Sequence, residues 1–294
     1  MRRVFTYRIP EEFENNTLLS FLKAECYSSP IITHLKRTEK GLLLNGNWAR
    51  VRDILHKNDI LTVTLLETTS SDNIVPVSLP LDIVYEDEDL MIINKPANMP
   101  IHPSQNNYDN TLANAVAYYY AQKEVPFVYR CINRLDRDTT GLLILAKHMY
   151  SASLLSDMVK KRLIHREYIA IADGYVDDAG IIDAPIARTK DSTIEREVNF
   201  SEGDFARTHY KCLQRKNGYS LVSLKLETGR THQIRVHMKY IGHALLGDFL
   251  YNPDYTFIGR QALHSHRLTF MHPITKQHLT FTAPLPYDMA KLFD

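Results

Sequence analysis

The sequence predicts an α+β protein in which a mixed, largely antiparallel sheet with flanking helices follows a small N-terminal α+β domain. Segments with the alternating pattern of strands outnumber those with a helical period in the larger, C-terminal part of the chain. Many of these strands follow one another directly, which is typical of antiparallel sheets. The length of 294 residues is enough for about two domains of ordinary size.

A polar, proline-containing stretch separates two patterned regions of the chain. It reads TTSSDNIVPVSLP, and this composition is typical of a linker. We therefore expect a first domain at residues 1–67, a linker at residues 68–80 and a second domain at residues 81–294.

The first domain has a helical pattern at residues 17–25 and an alternating strand at residues 60–65. Between them, an apolar run ends in the step Asn45-Gly46, which is a strong signal for a tight turn. Six basic residues and two acidic residues lie between Lys36 and Lys57, so the local charge is positive. Such a surface suits phosphate groups, although a merely solvated face of a small domain fits equally well. The basic residues are Lys36, Arg37, Lys40, Arg50, Arg52 and Lys57.

The second domain carries the strands and helices on which the fold class rests. Strand patterns lie at residues 90–94, 142–146, 168–172, 208–213, 220–226 and 278–281, and helical patterns at residues 111–122, 150–162 and 231–241.

Composition excludes several functional classes. Lys and Arg total 35 against 34 Asp and Glu, which speaks against a protein that coats nucleic acid indiscriminately. The sequence has neither a dinucleotide-binding glycine motif nor a P-loop, and its three cysteines are too far apart for a zinc knuckle. No apolar run approaches the roughly 18 residues of a membrane span. We expect a cytoplasmic protein.

The densest polar cluster, NRLDRDTTG, directly precedes the apolar run LLILA. Asp136 lies between Arg134 and Arg137, whose charges would keep its carboxylate ionised and reactive. Asp138 is followed by turn-forming residues, which favours a structural role. By itself the pattern leaves Asp136 either as a catalytic carboxylate or as an ordinary salt-bridge partner.

Tyr168 belongs to a predicted strand in which it shares a face with Ala170 and Ala172. Two small neighbours beside an aromatic ring leave room for a flat ligand to stack. An ordinary half-buried aromatic is the alternative.

Arg235 belongs to a predicted helix whose buried stripe is Ile234, Met238 and Ile241. It lies at the margin of this stripe, so its guanidinium group can point inward if a carboxylate awaits it, and Asp136 is a candidate. A side chain that extends along the apolar surface into solvent is the alternative.

Three long motifs together resemble the RluA family of RNA pseudouridine synthases, in that family's order. They are INRLDRDTTGLLILAK at residues 132–147, REYIAIADG at 166–174 and LETGRTHQIRVHMKYIGHALLGDFLY at 226–251. One departure is Asn133, which stands where many members have His. The first domain resembles the RNA-binding module of the ribosomal-protein-S-four type.

This resemblance implies an isomerase that converts specific uridines of structured RNA to pseudouridine without a metal or cofactor. Large-subunit ribosomal RNA is the favoured substrate, with transfer RNA as the alternative, and a monomer is expected. The resemblance also implies that Asp136 is the essential aspartate, that Tyr168 stacks on the target base and that Arg235 pairs with Asp136. Candidate RNA contacts are Arg134, Arg137, Arg230, His232, Lys36, Arg37, Arg50 and Arg52.

Two other functions are compatible with parts of the sequence. A metal-dependent hydrolase would use Asp136 with His264 and His266, which share one face of a strand-like run. His232 and His237 are five residues apart and do not share a helix face, which argues against a second pair of ligands. A non-catalytic RNA-binding protein would need only the first domain, and the presence of all three motifs argues against it.

Overall fold

A computed structural model describes residues 1–293, which form a four-stranded sheet, a nine-stranded sheet and a two-stranded ribbon. The four-stranded sheet belongs to the N-terminal module, as we call residues 1–67. Its strand order is β1-β4-β2-β3, and every pair is antiparallel. The elements of the module are β1 (Arg2–Arg8), α1 (Leu18–Ala24), α2 (Ser29–Arg37), β2 (Leu42–Leu44), β3 (Asn47–Trp48) and β4 (Ile60–Leu66).

The nine-stranded sheet is built by the rest of the chain in the order β5-β6-β7-β14-β8-β13-β12-β9, with β15 paired to β14. Strands β7 and β14 are parallel and all other neighbours are antiparallel, so the predicted fold class is confirmed. The elements are β5 (Ile83–Glu86), β6 (Leu90–Lys95), α3 (Leu112–Gln122), β7 (Thr140–Ala146), α4 (Met149–Lys160), β8 (His165–Asp173), β9 (Ala179–Asp183), β10 (Ile186–Arg188), β11 (Arg196–Val198), β12 (Arg207–Lys216), β13 (Tyr219–Leu226), α5 (Gln233–Tyr240), β14 (Leu263–Met271), β15 (His278–Thr282) and α6 (Tyr287–Ala290).

Strand β8 separates two cores, as its alternating sequence predicted. Tyr168, Ala170 and Ala172 face the core that also contains the apolar stripe of α5. Ile169 and Ile171 face the opposite core, which is closed by the C-terminal segment. Because side chains of successive strand residues point to opposite faces, this register alone determines that Tyr168 lies on the same side of the sheet as α5.

The N-terminal module packs against the first turn of α4. The rings of Tyr27 and Tyr150 are stacked with their centroids 4.0 Å apart, and the Tyr150 hydroxyl donates to the carbonyl oxygen of Glu25 at 2.8 Å. The Arg3 Nε atom donates to a carboxylate oxygen of Asp89 at 2.8 Å. The module is therefore held by aromatic packing and by a partly buried ion pair.

Residues 68–80 follow the surface of the second region instead of hanging free. The Ser71 amide donates to the carbonyl oxygen of Phe127 at 3.3 Å, and the Val77 amide donates to that of Asn114 at 3.2 Å. The Asn114 side chain in turn donates to the carbonyl oxygen of Val75 at 2.8 Å. The segment is held by hydrogen bonds that its polar composition did not reveal. The exact domain limits stay a prediction.

None of the helices within residues 1–293 has both the length and the apolar character that a bilayer span requires.

The buried carboxylate of Asp89 predicts a pH-dependent attachment of the module. Burial by itself raises the pKa of Asp89. Hydrogen bonds from His148 and Arg3 lower it by more than burial raises it, so the pKa lies below its ordinary value of 3.8. Its contribution to stability is therefore present above pH 3.8 and is lost as the pH falls below that value. We expect Asp89→Asn to reduce the free energy of unfolding at pH 7 by about 3 kcal/mol, measured in urea.

The matched control is Glu88→Gln, because the Glu88 carboxylate also pairs with Arg3 but its side chain is 75% exposed. Glu88→Gln should reduce the free energy of unfolding by less than about 1 kcal/mol. The difference in the free energy of unfolding between wild type and Asp89→Asn should become smaller below about pH 4. Equal losses for the two variants, or a difference independent of pH, would contradict the prediction.

Candidate active site

The three sequence motifs meet at one end of the central strands. Asp136 lies on the loop before β7, Tyr168 on β8 and Arg235 on α5. All three line a pocket of about 70 Å³, together with His232 and Leu263. In the sheet order, only β14 separates β7 from β8. The strand order thus brings the loop of Asp136 close to Tyr168, and α5 adds Arg235, which is 99 positions from Asp136 in the sequence.

The close approach of β7 and β14 requires a glycine at the start of β7. Gly141 has a φ of +106°, and a Cβ atom there would lie 2.3 Å from the carbonyl oxygen of Ser265. A larger residue would push the two strands apart and displace the loop that carries Asp136.

Arg235 holds two carboxylates at once. Its Nε and Nη2 atoms donate to the two oxygens of Asp248 at 2.6 and 2.7 Å, and its Nη1 atom donates to Asp136 at 2.9 Å. The side chains of Arg235 and Asp248 are 1% and 0% exposed, whereas that of Asp136 is 31% exposed. Asp248 therefore keeps the guanidinium group in place, and Asp136 keeps one side open to a ligand.

The surroundings of Arg235 complete its enclosure. Its guanidinium carbon lies 5.2 Å from the ring centre of Phe249 and 5.0 Å from that of Tyr251. Burial by itself lowers the pKa of Arg235, but Asp248 and Asp136 raise it above its ordinary value, so the side chain stays charged. Asp248 was not singled out in the sequence, where the only signal was its place in the step GDFLY of the third motif.

His232 faces Asp136 from the residue before α5, where its φ of 57° is left-handed. Its Nε2 atom lies 3.8 Å from the Asp136 carboxylate, and its Nδ1 atom lies 3.0 Å from the Tyr251 hydroxyl. Burial lowers the pKa of His232 below its ordinary value of 6.5, so the ring is mainly neutral at pH 7. The predicted helix at residues 231–241 begins only at Gln233, because His232 has a left-handed conformation.

Arg137 and Asp138 pair with each other beside the pocket. Arg137 donates to Asp138 at 2.8 and 3.0 Å, and the amide of Asn98 donates to the other Asp138 oxygen at 3.2 Å. Within residues 1–293 neither Arg134 nor Arg137 lies within salt-bridge distance of the Asp136 carboxylate, contrary to what their adjacency suggested, and Arg235 contacts it instead. Sequence neighbours in a tight turn point in different directions, which explains the error. Asp138 has the structural contacts that its turn sequence favoured.

Lys95 is a buried cation that the sequence did not reveal. Its Nζ atom donates to the carbonyl oxygens of Pro96, Met99 and Arg137 at 2.7, 3.0 and 2.8 Å. Burial lowers its pKa to about 7. The hydrogen bond to Arg137 ties the end of β6 to the loop of Asp136, so Lys95 helps to fix the position of that loop.

A larger cavity of about 740 Å³ opens directly beside Asp136. We call it the basic groove, because its lining is rich in cations: Arg134, Lys160, Arg162, Arg166 and Arg230. Within residues 1–293, the side chains of Arg134, Lys160 and Arg166 have no carboxylate within salt-bridge distance. Arg230 lies 3.3 Å from Asp204 and donates to the carbonyl oxygen of Phe205. The groove therefore offers unneutralised positive charge next to the pocket.

The predicted RNA contacts of the N-terminal module lie on a separate surface. Lys36, Arg50 and Arg52 line a cavity of about 530 Å³ on the module, and Arg37 is exposed. Lys57 is neutralised by Glu11 at 2.6 Å, so the positive interval is shorter than its sequence suggested.

The histidines of the metal-site hypothesis do not converge on an open site. Both ring nitrogens of His237 face protein oxygens at 2.8 Å, and Nδ1 of His264 lies 2.9 Å from a threonine hydroxyl. The cluster within residues 1–293 that has ligand spacing is Asp87, Asp89 and His272, near the contact with the N-terminal module. It lies outside the pocket of Asp136, so it lends no support to a hydrolase centred on that residue.

Comparisons with known proteins agree with the geometry of the site. The family model described as RNA pseudouridylate synthase matches residues 89–240. The uncharacterized RNA pseudouridine synthase YjbO of Bacillus subtilis is 41% identical over 266 residues, which cover 90% of this chain and 94% of that protein. The ribosomal large subunit pseudouridine synthase D of Escherichia coli K12 is 40% identical over 234 residues, or 74% of this chain and 71% of that protein.

A solved structure, human RNA pseudouridylate synthase domain containing 1, aligns with a TM-score of 0.60 and 25% identity over 72% of this chain and 86% of that chain. These matches define the class of protein as an isomerase that acts on RNA. The chain belongs to the RNA pseudouridylate synthases and, within them, to the RluA family. The predicted family is confirmed.

The position of Asp248 predicts that it acts on the reaction through Arg235. Asp248→Asn keeps the shape of the side chain but removes the charge that holds the guanidinium group. We expect kcat for pseudouridine formation to fall about 10- to 100-fold while KM for RNA stays unchanged. Steady-state kinetics on RNA measure kcat and KM separately, and a thermal unfolding scan verifies that each variant is folded.

Asp183→Asn is the control, because Asp183 also pairs with an arginine, Arg207, but on an exposed surface. Its kinetic constants should match those of the wild type. A change of KM alone in Asp248→Asn, or an unchanged kcat, would contradict a positioning role for Asp248.

Proposed function

We propose that this pseudouridine synthase uses Asp136 as its single essential carboxylate, without a metal or cofactor, and that its substrate is large-subunit ribosomal RNA. The observation that supports the catalytic role is the asymmetry of the Arg235 ion pairs. Of the two carboxylates bound by Arg235, only Asp136 is open to the pocket.

The reaction places few demands on the protein beyond this carboxylate. The uracil must leave its ribose, turn over and rejoin through carbon five, and its carbon-five proton is released. No net oxidation or reduction occurs. The Arg235 hydrogen bond at 2.9 Å orients the Asp136 carboxylate. A carboxylate in this position can act as a nucleophile or as the base that removes a ribose proton.

Tyr168 is suited to hold the base while it turns. Its side chain lines the pocket with Asp136, and its neighbours on the same strand face are alanines. A uridine must leave its RNA stack to reach this pocket, which costs a few kcal/mol. Stacking on Tyr168 offsets part of this cost, and phosphate contacts in the basic groove offset the remainder.

The choice of RNA rests on the relatives. The proteins of Escherichia coli K12 and of Zymomonas mobilis that match this chain at 40% and 39% identity are both named ribosomal large subunit pseudouridine synthase D. These names describe those proteins, and we extend the substrate to this chain as a proposal, with transfer RNA as the alternative. The cytoplasmic location and monomeric state expected from the sequence stay predictions.

Two aspartates in one loop allow a sharp test of the catalytic assignment. Asp136→Asn should abolish tritium release from RNA labelled at carbon five of uridine, because the amide is neither a nucleophile nor a base. Asp138→Asn should retain most of the turnover, since Asp138 is occupied by Arg137 and the Asn98 amide. Undiminished release by Asp136→Asn would refute the assignment.

The same pair of variants tests the substrate in cells. A strain that carries Asp136→Asn in place of the natural protein should lose pseudouridines from large-subunit ribosomal RNA, and Asp138→Asn should keep them. Loss from transfer RNA alone would overturn the proposed substrate while leaving the chemistry intact.

The basic groove predicts a salt-dependent RNA contact at Lys160. Lys160→Gln should weaken RNA binding at low salt and reduce the slope of log affinity against log salt by about 1, the value for one phosphate contact. Lys161→Gln is the matched control, because Lys161 is paired with Asp157 at 2.7 Å and does not line the groove. Equal effects of the two substitutions would show that net charge, and not the groove, is responsible.

A further inference from the structure

The single tryptophan of the chain, Trp48, is 63% exposed on the surface of the N-terminal module. It ends β3, an edge strand of two residues that pairs only with β2 within the described residues 1–293. A lone exposed apolar residue is ordinary on a protein surface. Trp48 differs from such a residue because it borders a cavity.

The cavity beside Trp48 combines an apolar lining with unneutralised cations. Its volume is about 530 Å³, which is ample for a nucleotide. Leu35, Ala49 and Val51 provide its apolar lining. Its charged residues are Lys36, Arg50 and Arg52, and none of the three side chains has a carboxylate within salt-bridge distance in residues 1–293. An indole ring, apolar walls and three free cations together suit a flat aromatic group that carries phosphates.

We propose that Trp48 and this cavity bind an unpaired nucleotide of the substrate RNA, which we call the Trp48 site. The base stacks on the indole ring, and the flanking phosphates contact Lys36, Arg50 and Arg52. The identification of the ligand as RNA rests on the proposed function. Base stacking on an aromatic side chain contributes about 1–3 kcal/mol and requires a base whose face is free. Paired bases inside a duplex do not present such a face, so the site selects unpaired RNA.

Helix α4 connects the N-terminal module to the basic groove beside Asp136. The first turn of α4 carries Tyr150, which stacks on Tyr27 of the module, and its last turn carries Val159 and Lys160, which line the basic groove. A helix of 12 residues is about 18 Å long. The module that carries Trp48 and the groove that leads to the pocket therefore contact opposite ends of one helix. Trp48 thus acts as a specificity residue that reads the spacing of two unpaired positions.

Tryptophan fluorescence reports this site alone, because the chain has no other tryptophan. The probes are an unmodified transcript of large-subunit ribosomal RNA and a fully paired RNA duplex at the same phosphate concentration. The protein is the Asp136→Asn variant, so that no turnover accompanies binding. We expect the transcript to quench the emission and the duplex to leave it nearly unchanged.

Substitution of Trp48 tests the contribution of the site to affinity. Trp48→Ala should weaken binding of the transcript about 5- to 100-fold and raise KM, with kcat at saturating RNA unchanged. Trp48→Phe should recover part of the affinity. The matched control is Tyr287→Ala, which removes an aromatic side chain that is 80% exposed and borders none of the five cavities described for residues 1–293. Circular dichroism verifies that each variant is folded.

Three results would overturn the proposal. The first is bound transcript without quenching, and the second is equal quenching by the duplex, which would show electrostatic attraction without stacking. The third is quenching that appears with protein concentration alone and tracks self-association in sedimentation, which would make the surface a contact between copies. A different outcome is that the transcript quenches the emission but the wild-type protein releases no tritium from labelled RNA. This outcome would refute the proposed function and leave RNA binding at Trp48 standing.

Discussion

The buried guanidinium group of Arg235 is the interaction on which the site depends. A cation that is 1% exposed is tolerated only if carboxylates compensate the loss of solvation, and two of them do so here. Because the two carboxylates differ in burial, they have different roles. Asp248 is inaccessible and accepts two hydrogen bonds from the guanidinium group, so it satisfies the cation; Asp136 accepts one from it and retains an open face. A carboxylate can thus be charged, oriented and reactive at once because a second carboxylate holds its partner.

The rest of the fold keeps this arrangement in register. Gly141 lets β7 approach β14 closely, and this contact fixes where the loop of Asp136 leaves the sheet. Lys95 binds the carbonyl oxygen of Arg137 and so ties the same loop to β6. The left-handed residue His232 turns the chain into α5 and presents its ring to Asp136. Each device is local, but together they fix a carboxylate whose partners are about 100 residues away.

The sequence predicted the parts of this site that follow from periodicity. Alternation placed Tyr168 on the face of β8 that meets α5, and the stripe of Ile234 and Met238 placed Arg235 at an inward margin. Contacts between distant residues were beyond its reach. Asp248 was not singled out in the sequence, and Lys57 is paired with a glutamate 46 positions away. The polar segment at residues 68–80 resembled a free linker because its hydrogen-bond partners lie in α3 and the strand-poor region after it.

Two surfaces keep free positive charge in this near-neutral chain because of where its acidic residues lie. Asp89, Asp138 and Asp248 all lie in internal or partly buried ion pairs with arginines. Carboxylates used in this way cannot neutralise cations at the surface. The groove beside Asp136 and the Trp48 site therefore both keep free positive charge in a protein whose formal net charge is only +1. Because long-range attraction is weak in such a protein, RNA binding depends on contacts at these two surfaces, which favours a substrate whose shape satisfies both at once.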